Sequence, residues 1–396
     1  MGDKTNDTSR RNVLRVVGGA VGTAGVSGLA SAKPSDELEV NVGFSTPAGR
    51  RAAEQAATDV KRTFAFDALT MTAPAEALKG LRKNPNVRYV EENGTMEALA
   101  QSTPWGVDRV DAEVAHASGE QGTGADVAIL DSGIDSDHPD LQSNLGAGKA
   151  FVDCGTGGFT GSCAFYGNGN ACNEPWDDDN DHGTHCAGIA SAADNSQGVV
   201  GVSTDNTLHA VKVLDCAGSG SFSDIAAGVE YTADQGWDVG SMSLGGSSSS
   251  QVLKDACQYA VDNGVFLVAA AGNSGPCTDC VGYPAAYDTV MAVSSTNSSD
   301  GLSEFSSQGP EIEIAAPGSN INSTVPGGYA EKSGTSMACP HVAGAAGQLA
   351  ADGYTNTEIR SRLKNTAEDI GLAENESGAG LLDAAAALGL DSSDST

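Results

Sequence analysis

The last three hundred residues predict an α/β fold: a mainly parallel sheet with helices on both faces. Three observations carry this. Short apolar runs of strand length alternate with segments of helical composition, which is the pattern of a parallel sheet. Several of these runs stop at a loop rich in glycine that bears an Asp, Ser or Asn, and open parallel sheets place their chemistry outside the carboxyl ends of strands. The first hundred residues differ in both pattern and charge. They hold 13 basic and 12 acidic side chains, and residues 100–396 hold 8 and 40, which together make the 21 basic and 52 acidic groups of the chain.

In chain order, residues 1–32 carry Thr8-Ser9-Arg10-Arg11-Asn12-Val13-Leu14, a weakly apolar Gly/Ala run, and Ala30-Ser31-Ala32. An arginine pair, modest hydrophobicity and a small-residue end resemble a twin-arginine export signal, so this segment is set apart from the fold. Residues 33–99 read as a small α+β unit. Glu37–Phe44 alternates as a strand, Ala48–Thr63 has helical composition, and Phe64–Met71 is strand-like. Pro74–Lys83 suits a second helix and Val87–Glu92 a last strand.

In residues 100–396, strands are expected at Ala125–Leu130, Thr207–Leu214, Asp238–Leu244, Gly264–Ala271, Asp288–Ser294 and Glu311–Ala316. Helices are expected near Asp224–Gln235 and Ser250–Asp262, and from Ser336 to about Gly353. A short Ser/Asp tail ends the chain.

The formal charge of −31 argues against nucleic acid and against an anionic membrane surface as partners, since both need clustered Lys and Arg. With only ten lysines, so acidic a body reads as adapted to high salt, where the Debye length falls to about 3 Å and self-repulsion is screened.

Three segments carry the chemistry: Asp131-Ser132-Gly133-Ile134-Asp135, His182-Gly183-Thr184-His185-Cys186, and Gly334-Thr335-Ser336-Met337-Ala338-Cys339-Pro340-His341. A serine hydroxyl becomes a nucleophile when a base removes its proton. Imidazole titrates near neutral pH, and a carboxylate fixes its tautomer. Ser336 opens a helix, whose free N–H groups suit a developing oxyanion, and Asn273, on a Gly-flanked loop, offers a second donor.

In the order Asp, His, Ser, these segments resemble the subtilisin-type serine proteases, the subtilase family, over about residues 100–386. Acidic composition and the export signal most resemble the haloarchaeal halolysins. The resemblance implies a three-layer α/β fold and a serine endopeptidase with Asp131, His182 and Ser336 as its triad and Asn273 in its oxyanion hole. It implies peptide substrates paired with Ser243-Leu244-Gly245 and with Gly218-Ser219-Gly220. The P1 side chain would enter a pocket walled by Ala271-Gly272 and floored near Gly282. That pocket reads as roomy and uncharged, suited to large apolar P1 residues.

Residues 33–99 resemble the inhibitor propeptide of the family, with removal expected near Leu99–Ala100. A calcium site is implied with side chains of Gln101, Asp140 and Asn195 and carbonyls of Ala193, Gln197 and Val199. The acidic run Asp177–Asp181 reads as a solvated face or, less favoured, a second calcium loop. His138, His185, His209 and His341 read as structural, and Asp135 and Asp137 as loop residues. Nine cysteines leave at least one unpaired if all disulfides are internal, and Cys186 reads as a buried thiol. A monomer is the default. Two rival readings stay open at this level: a metal-dependent hydrolase using the aspartate clusters, and a non-catalytic peptide-binding module.

Overall fold

The structure is a computed structural model and describes residues 37–93, 101–155 and 170–392. The expected export signal, the Leu99–Ala100 bond and the end of the tail lie outside these residues. The chain divides into two units, Met1–Ala98 and Leu99–Thr396.

The described part of the first unit is a four-stranded antiparallel sheet with two helices. Its elements are β1 (Glu37–Phe44), α1 (Pro47–Ala56), β2 (Asp59–Phe64), β3 (Ala68–Pro74), α2 (Ala75–Arg82) and β4 (Val87–Glu92), with strand order β2-β3-β1-β4. The expected helix through Thr63 ends instead at Ala56, and a strand follows it. The reason is visible in β2: every residue from Asp59 to Thr63 is exposed, so no apolar period marks it as a strand. As an edge strand it pairs only with β3, through a tight turn at Ala65–Asp67 in which Asp67 has φ +58°. Val40, Val42, Leu69, Met71, Leu78 and Leu81 form the core beneath the helices. Thr46 caps α1 by accepting from Gly49 N–H at 3.3 Å.

The second unit is built on seven strands: β5 (Asp126–Asp131), β6 (Lys149–Ala150), β7 (Thr207–Lys212), β8 (Val239–Met242), β9 (Phe266–Ala270), β10 (Met291–Thr296) and β11 (Ile312–Pro317). Their order is β11-β10-β9-β8-β5-β7-β6, and every pairing between neighbours is parallel. Both faces are covered, as a parallel sheet requires. Val127, Ile129, Val268 and Val293 pack into one core with α3 (His182–Ser191) and α6 (Thr335–Ala351). Leu130, Val211, Leu267 and Ala292 pack into another with α4 (Phe222–Asp234) and α5 (Gln251–Asp262). Alternation along each strand thus feeds two cores.

A hairpin of β12 (Ile321–Val325) and β13 (Gly328–Lys332) was not legible in the sequence. No helix among the described residues is long and apolar enough to cross a membrane.

Candidate active site

Strand β5 delivers Asp131 as its last residue, fully buried. Helix α3 starts at His182 and must come close to the end of β5. Gly183 permits this: a Cβ there would lie 2.1 Å from the Gly133 carbonyl oxygen. The close approach sets His182 Nδ1 at 2.8 Å from Asp131 Oδ1, which also accepts from Ser132 N–H at 2.7 Å. Asp131 Oδ2 is buried with no hydrogen-bond partner among the described residues, so its charge is poorly compensated. Burial pulls the His182 imidazole down, but the Asp131 carboxylate outweighs it and holds the group well above 6.5.

Beneath both residues lies the run Asp177-Asp178-Asp179. The expectation of a solvated acidic face is corrected here, because all three are buried. Asp178 Oδ1 accepts from Ser132 Oγ at 2.8 Å and from the N–H groups of Asn180 and Asp181. Asp178 Oδ2 accepts from both the N–H and hydroxyl of Thr184 at 2.8 and 2.6 Å. Ser132 Oγ in turn accepts from Gly183 N–H at 2.9 Å. One carboxylate therefore ties the turn after Asp131 to the first turn of α3. Asp179 Oδ1 pairs at 2.6 Å with the fully buried Lys212, whose Nζ also donates to the carbonyls of Ser132 and Leu214. Clustered donors, including a buried cation, let these carboxylates leave water.

Ser336 is the second residue of α6, where backbone N–H groups lack helical acceptors. Four residues on, Pro340 has no N–H to give to the Ser336 carbonyl. That carbonyl is taken instead by Ser243 Oγ at 2.8 Å and by Cys186 Sγ at 3.4 Å. The Ser336 hydroxyl donates to the Ser243 carbonyl at 3.1 Å. Cys186 Sγ also lies 3.9 Å from His182 Nδ1, so it touches both the imidazole and the Ser336 backbone. Its thiol is pushed up by burial and stays protonated.

Asn273 follows β9 and is exposed to the cleft. Its Oδ1 accepts from Thr335 N–H at 2.9 Å and Thr335 Oγ1 at 3.1 Å, which turns Nδ2 away to donate. Thr335 Oγ1 accepts in turn from Gly272 N–H at 3.1 Å. Gly272 has φ +111°, a conformation suited to glycine.

Two adjoining cavities share the segment Ser243-Leu244-Gly245-Gly246. One, of about 470 Å³, holds His182, Gly218 and Gly220. The other, of about 540 Å³, holds Gly272, Asn273, Gly282 and Ser336. All six expected substrate-contacting residues line one or both. The second cavity also includes Asp279, which the expectation of an uncharged pocket did not contain.

The expected calcium ligands also converge. Gln101 Nε2 reaches the carbonyls of Ala193 and Val199 at 2.7 and 3.1 Å, and Asn195 Nδ2 reaches Asp140 Oδ1 at 3.1 Å. Gln197 joins through its N–H, which donates to Asn195 Oδ1 at 3.1 Å. One carboxylate, two carboxamides and neighbouring carbonyls are a hard-oxygen set of the kind Ca²⁺ takes.

His185 is buried and donates through Nε2 to the carbonyls of Ile321 and Ala330, and burial lowers it to about 3. His341 Nδ1 donates to the Met337 carbonyl at 2.8 Å, and burial lowers the group to about 4. His138 bonds the Gly328 carbonyl at 3.0 Å, and His209 bridges Ala147 and Asp126 while stacking on Trp237. These four are structural by their partners. Asp135 lies in a loop, as expected, but is buried there, and burial with the neighbouring Asp137 carboxyl raises it to about 6. Cys154–Cys172 and Cys277–Cys280 are disulfides, Cys216 is disulfide-bonded, and Cys186, Cys257 and Cys339 are buried thiols.

Sequence reasoning missed Thr335, Asp178 and Lys212. Thr335 and Thr184 sit inside the quoted motifs and Asp178 lies four residues before His182, so proximity was the available signal. Lys212, brought in from β7, left none.

A carboxylate-held imidazole, a serine at a helix start and an oriented carboxamide beside the shared cavities are the parts of a serine hydrolase. Residues 122–383 match the Subtilase family. The chain is 40% identical over 359 residues to Subtilisin E of Bacillus subtilis, covering 87% of this chain and 89% of that one. It is 42% identical over 323 residues to an alkaline protease of Alkalihalobacillus alcalophilus, covering 81% and 78%. It is 43% identical over 277 residues to a subtilisin of Bacillus pumilus, covering 69% and 94%. The chain belongs to the subtilase family and is a serine endopeptidase.

Proposed function

We propose that this chain is exported through the twin-arginine route and works outside the cell, as a monomer in high salt. In this reading, residues 33–99 act as an intramolecular chaperone and inhibitor, removed near Leu99–Ala100. The observation that supports the catalytic part is that His182, held by the buried Asp131, and Ser336 with Asn273 line two adjoining cavities that share Ser243-Leu244-Gly245-Gly246.

The chemistry follows from these groups. His182 Nε2 takes the Ser336 hydroxyl proton as Oγ attacks the scissile carbonyl carbon. The oxygen that becomes negative is met by the Ser336 N–H and Asn273 Nδ2, worth about 3–4 kcal/mol per donor in such sites. Asp131 stabilises the imidazolium. His182 then gives its proton to the leaving amine as the C–N bond breaks, leaving an acyl-serine. Water enters, His182 takes its proton, and the same steps in reverse order release the carboxylic acid and restore Ser336.

Substrate lies extended along Ser243–Gly245 and Gly218–Gly220, with large apolar P1 side chains preferred in the cavity floored by Gly282. Calcium, when bound, supplies structural cross-linking charge to Gln101, Asp140 and Asn195 and the carbonyls of Ala193, Gln197 and Val199. It takes no part in the reaction. The salt-adapted reading rests on 8 basic against 40 acidic groups in residues 100–396.

The test is refolding of wild type and Ser336→Ala in about 3 M salt with calcium, where exposed charges are almost fully screened. Intact mass and peptide hydrolysis are followed together. Wild type should shed its first ~99 residues and cut peptide, and Ser336→Ala should do neither. Two inert, full-length proteins would sink the proposal. A melting temperature equal in high and low salt would reject the salt-adapted part alone.

A further inference from the structure

We infer that Asp279 makes the P1 cavity accept lysine and arginine as a second class of side chain, below the large apolar ones, and turn away aspartate and glutamate. The inference rests on the endopeptidase reading above and names its substrate class more closely.

Asp279 lines the same cavity as Ser336, Asn273 and Gly282. It is the only charged residue among the described residues of that lining. Its side chain is exposed and makes no hydrogen bond or ion pair with any described residue, so the carboxylate is uncompensated and free to meet a ligand. Its backbone is held in place. The Cys277–Cys280 disulfide brackets it, Cys280 N–H donates to the Gln308 carbonyl at 2.9 Å, and Gly282 N–H donates to the Ala271 carbonyl at 2.8 Å. A loop tied at both ends presents its charge with little ordering left to do on binding.

The rest of the lining explains why this is a second class and not the first. Leu244, Ala270 and Val281 give apolar wall, along which the methylene stem of lysine or arginine can lie while its charged head reaches toward Asp279. The charge is exposed, so its effect is that of a surface pair, about fivefold in rate at moderate salt. Screening should shrink it further in molar salt, where the Debye length is about 3 Å. A P1 glutamate would meet the same carboxylate as a like charge and gain no partner elsewhere in the lining.

The experiment compares kcat/KM for peptide p-nitroanilides that differ only at P1, with Lys against norleucine and Glu against Gln. Mature wild type, Asp279→Asn and Asp279→Glu are measured at the lowest salt that keeps them folded and again in molar salt. The expected result is a Lys/norleucine ratio about fivefold lower in Asp279→Asn, retained in Asp279→Glu, with the difference narrowing in molar salt. The Glu/Gln ratio should rise in Asp279→Asn. Equal ratios in wild type and Asp279→Asn overturn the inference. So does an Asp279→Asn enzyme that cuts no peptide at all, which would make the side chain a prop for the loop. A wild type that cuts none of the peptides overturns the endopeptidase reading itself and this inference with it.

Discussion

Ser243 and Ser336 hold one another reciprocally: the Ser243 hydroxyl donates to the Ser336 carbonyl at 2.8 Å, and the Ser336 hydroxyl donates to the Ser243 carbonyl at 3.1 Å. The first bond exists because Pro340 cannot fill the Ser336 carbonyl from within the helix. Ser243→Ala leaves that carbonyl with the weak thiol donor Cys186 alone. A poorly satisfied buried acceptor costs about 1–3 kcal/mol. The melting temperature should fall by several degrees, and kcat should fall more than KM rises. An unchanged melting curve and kcat would show that the reciprocal pair carries no weight.

Thr335 acts on the same helix start through a different partner. Both of its donors end on Asn273 Oδ1, leaving Nδ2 as the free end of the amide. Thr335→Val keeps the backbone N–H and the side-chain volume but removes the hydroxyl, which also strands Gly272 N–H. We expect kcat to drop about tenfold with KM nearly constant, a fraction of the 10²–10³-fold loss expected for Asn273→Ala. Thr335→Ser should recover most of it. A KM effect with kcat intact would assign Thr335 to substrate binding instead.

The contrast between these residues shows what the sequence could reveal. Asp131, His182 and Ser336 were legible because each ends a strand or opens a helix inside a dense local motif, and Asn273 because it sits on a Gly-flanked loop just after β9. The strands β5, β7 and β9 were legible because burial on both faces makes them continuous apolar runs. Strand β2 was not, since an edge strand with exposed Asp59, Lys61 and Arg62 has no apolar period to read. The burial of Asp177–Asp179 was hidden for another reason. Acidic runs are ordinarily solvated, and what reverses that here is Lys212, more than thirty residues away, together with backbone donors that only the folded turn supplies.

The pH dependence follows from the His182–Asp131 pair. A base must be neutral to accept the Ser336 proton, and His182 is held well above 6.5. Activity should therefore rise with pH through that elevated value, placing the acid limb of kcat/KM above 6.5. Asp131→Asn removes the charge that lifts it. The limb should then move to lower pH while kcat falls by about 10⁴, as for loss of the carboxylate from triads of this type. An acid limb that does not move between the two enzymes would assign it to a group other than His182.

Lys212 offers a sharper stability test. It is fully buried and neutralises Asp179 while gripping the Ser132 carbonyl, one residue from Asp131. Lys212→Met keeps the apolar stem and leaves a buried carboxylate without its cation, a change that costs about 3–5 kcal/mol. The double substitution Lys212→Met with Asp179→Leu removes both charges and should regain much of that loss. Denaturant midpoints of the two variants decide it. If the single and double substitutions are equally unstable, the pair is not the source of the effect.

Calcium removal should act on stability and leave the chemistry to follow. The candidate ligands join the segment at Gln101 to the loop 193–199 and to Asp140, so a bound cation ties chain regions about ninety residues apart in sequence. Binding only the folded state at 100 times the dissociation constant adds about 2.7 kcal/mol. Chelation should lower the melting temperature while the surviving folded enzyme keeps its kcat. Asp140→Asn should remove the calcium dependence of melting, because the site loses its one carboxylate. The carboxamide also keeps only one acceptor oxygen for the two donors, Val199 N–H and Asn195 Nδ2, that Asp140 serves with two, so some loss should remain in calcium-free buffer. The reading therefore turns on the difference between calcium-bound and calcium-free melting in each protein. A shift of equal size in wild type and Asp140→Asn would place the calcium elsewhere in the chain.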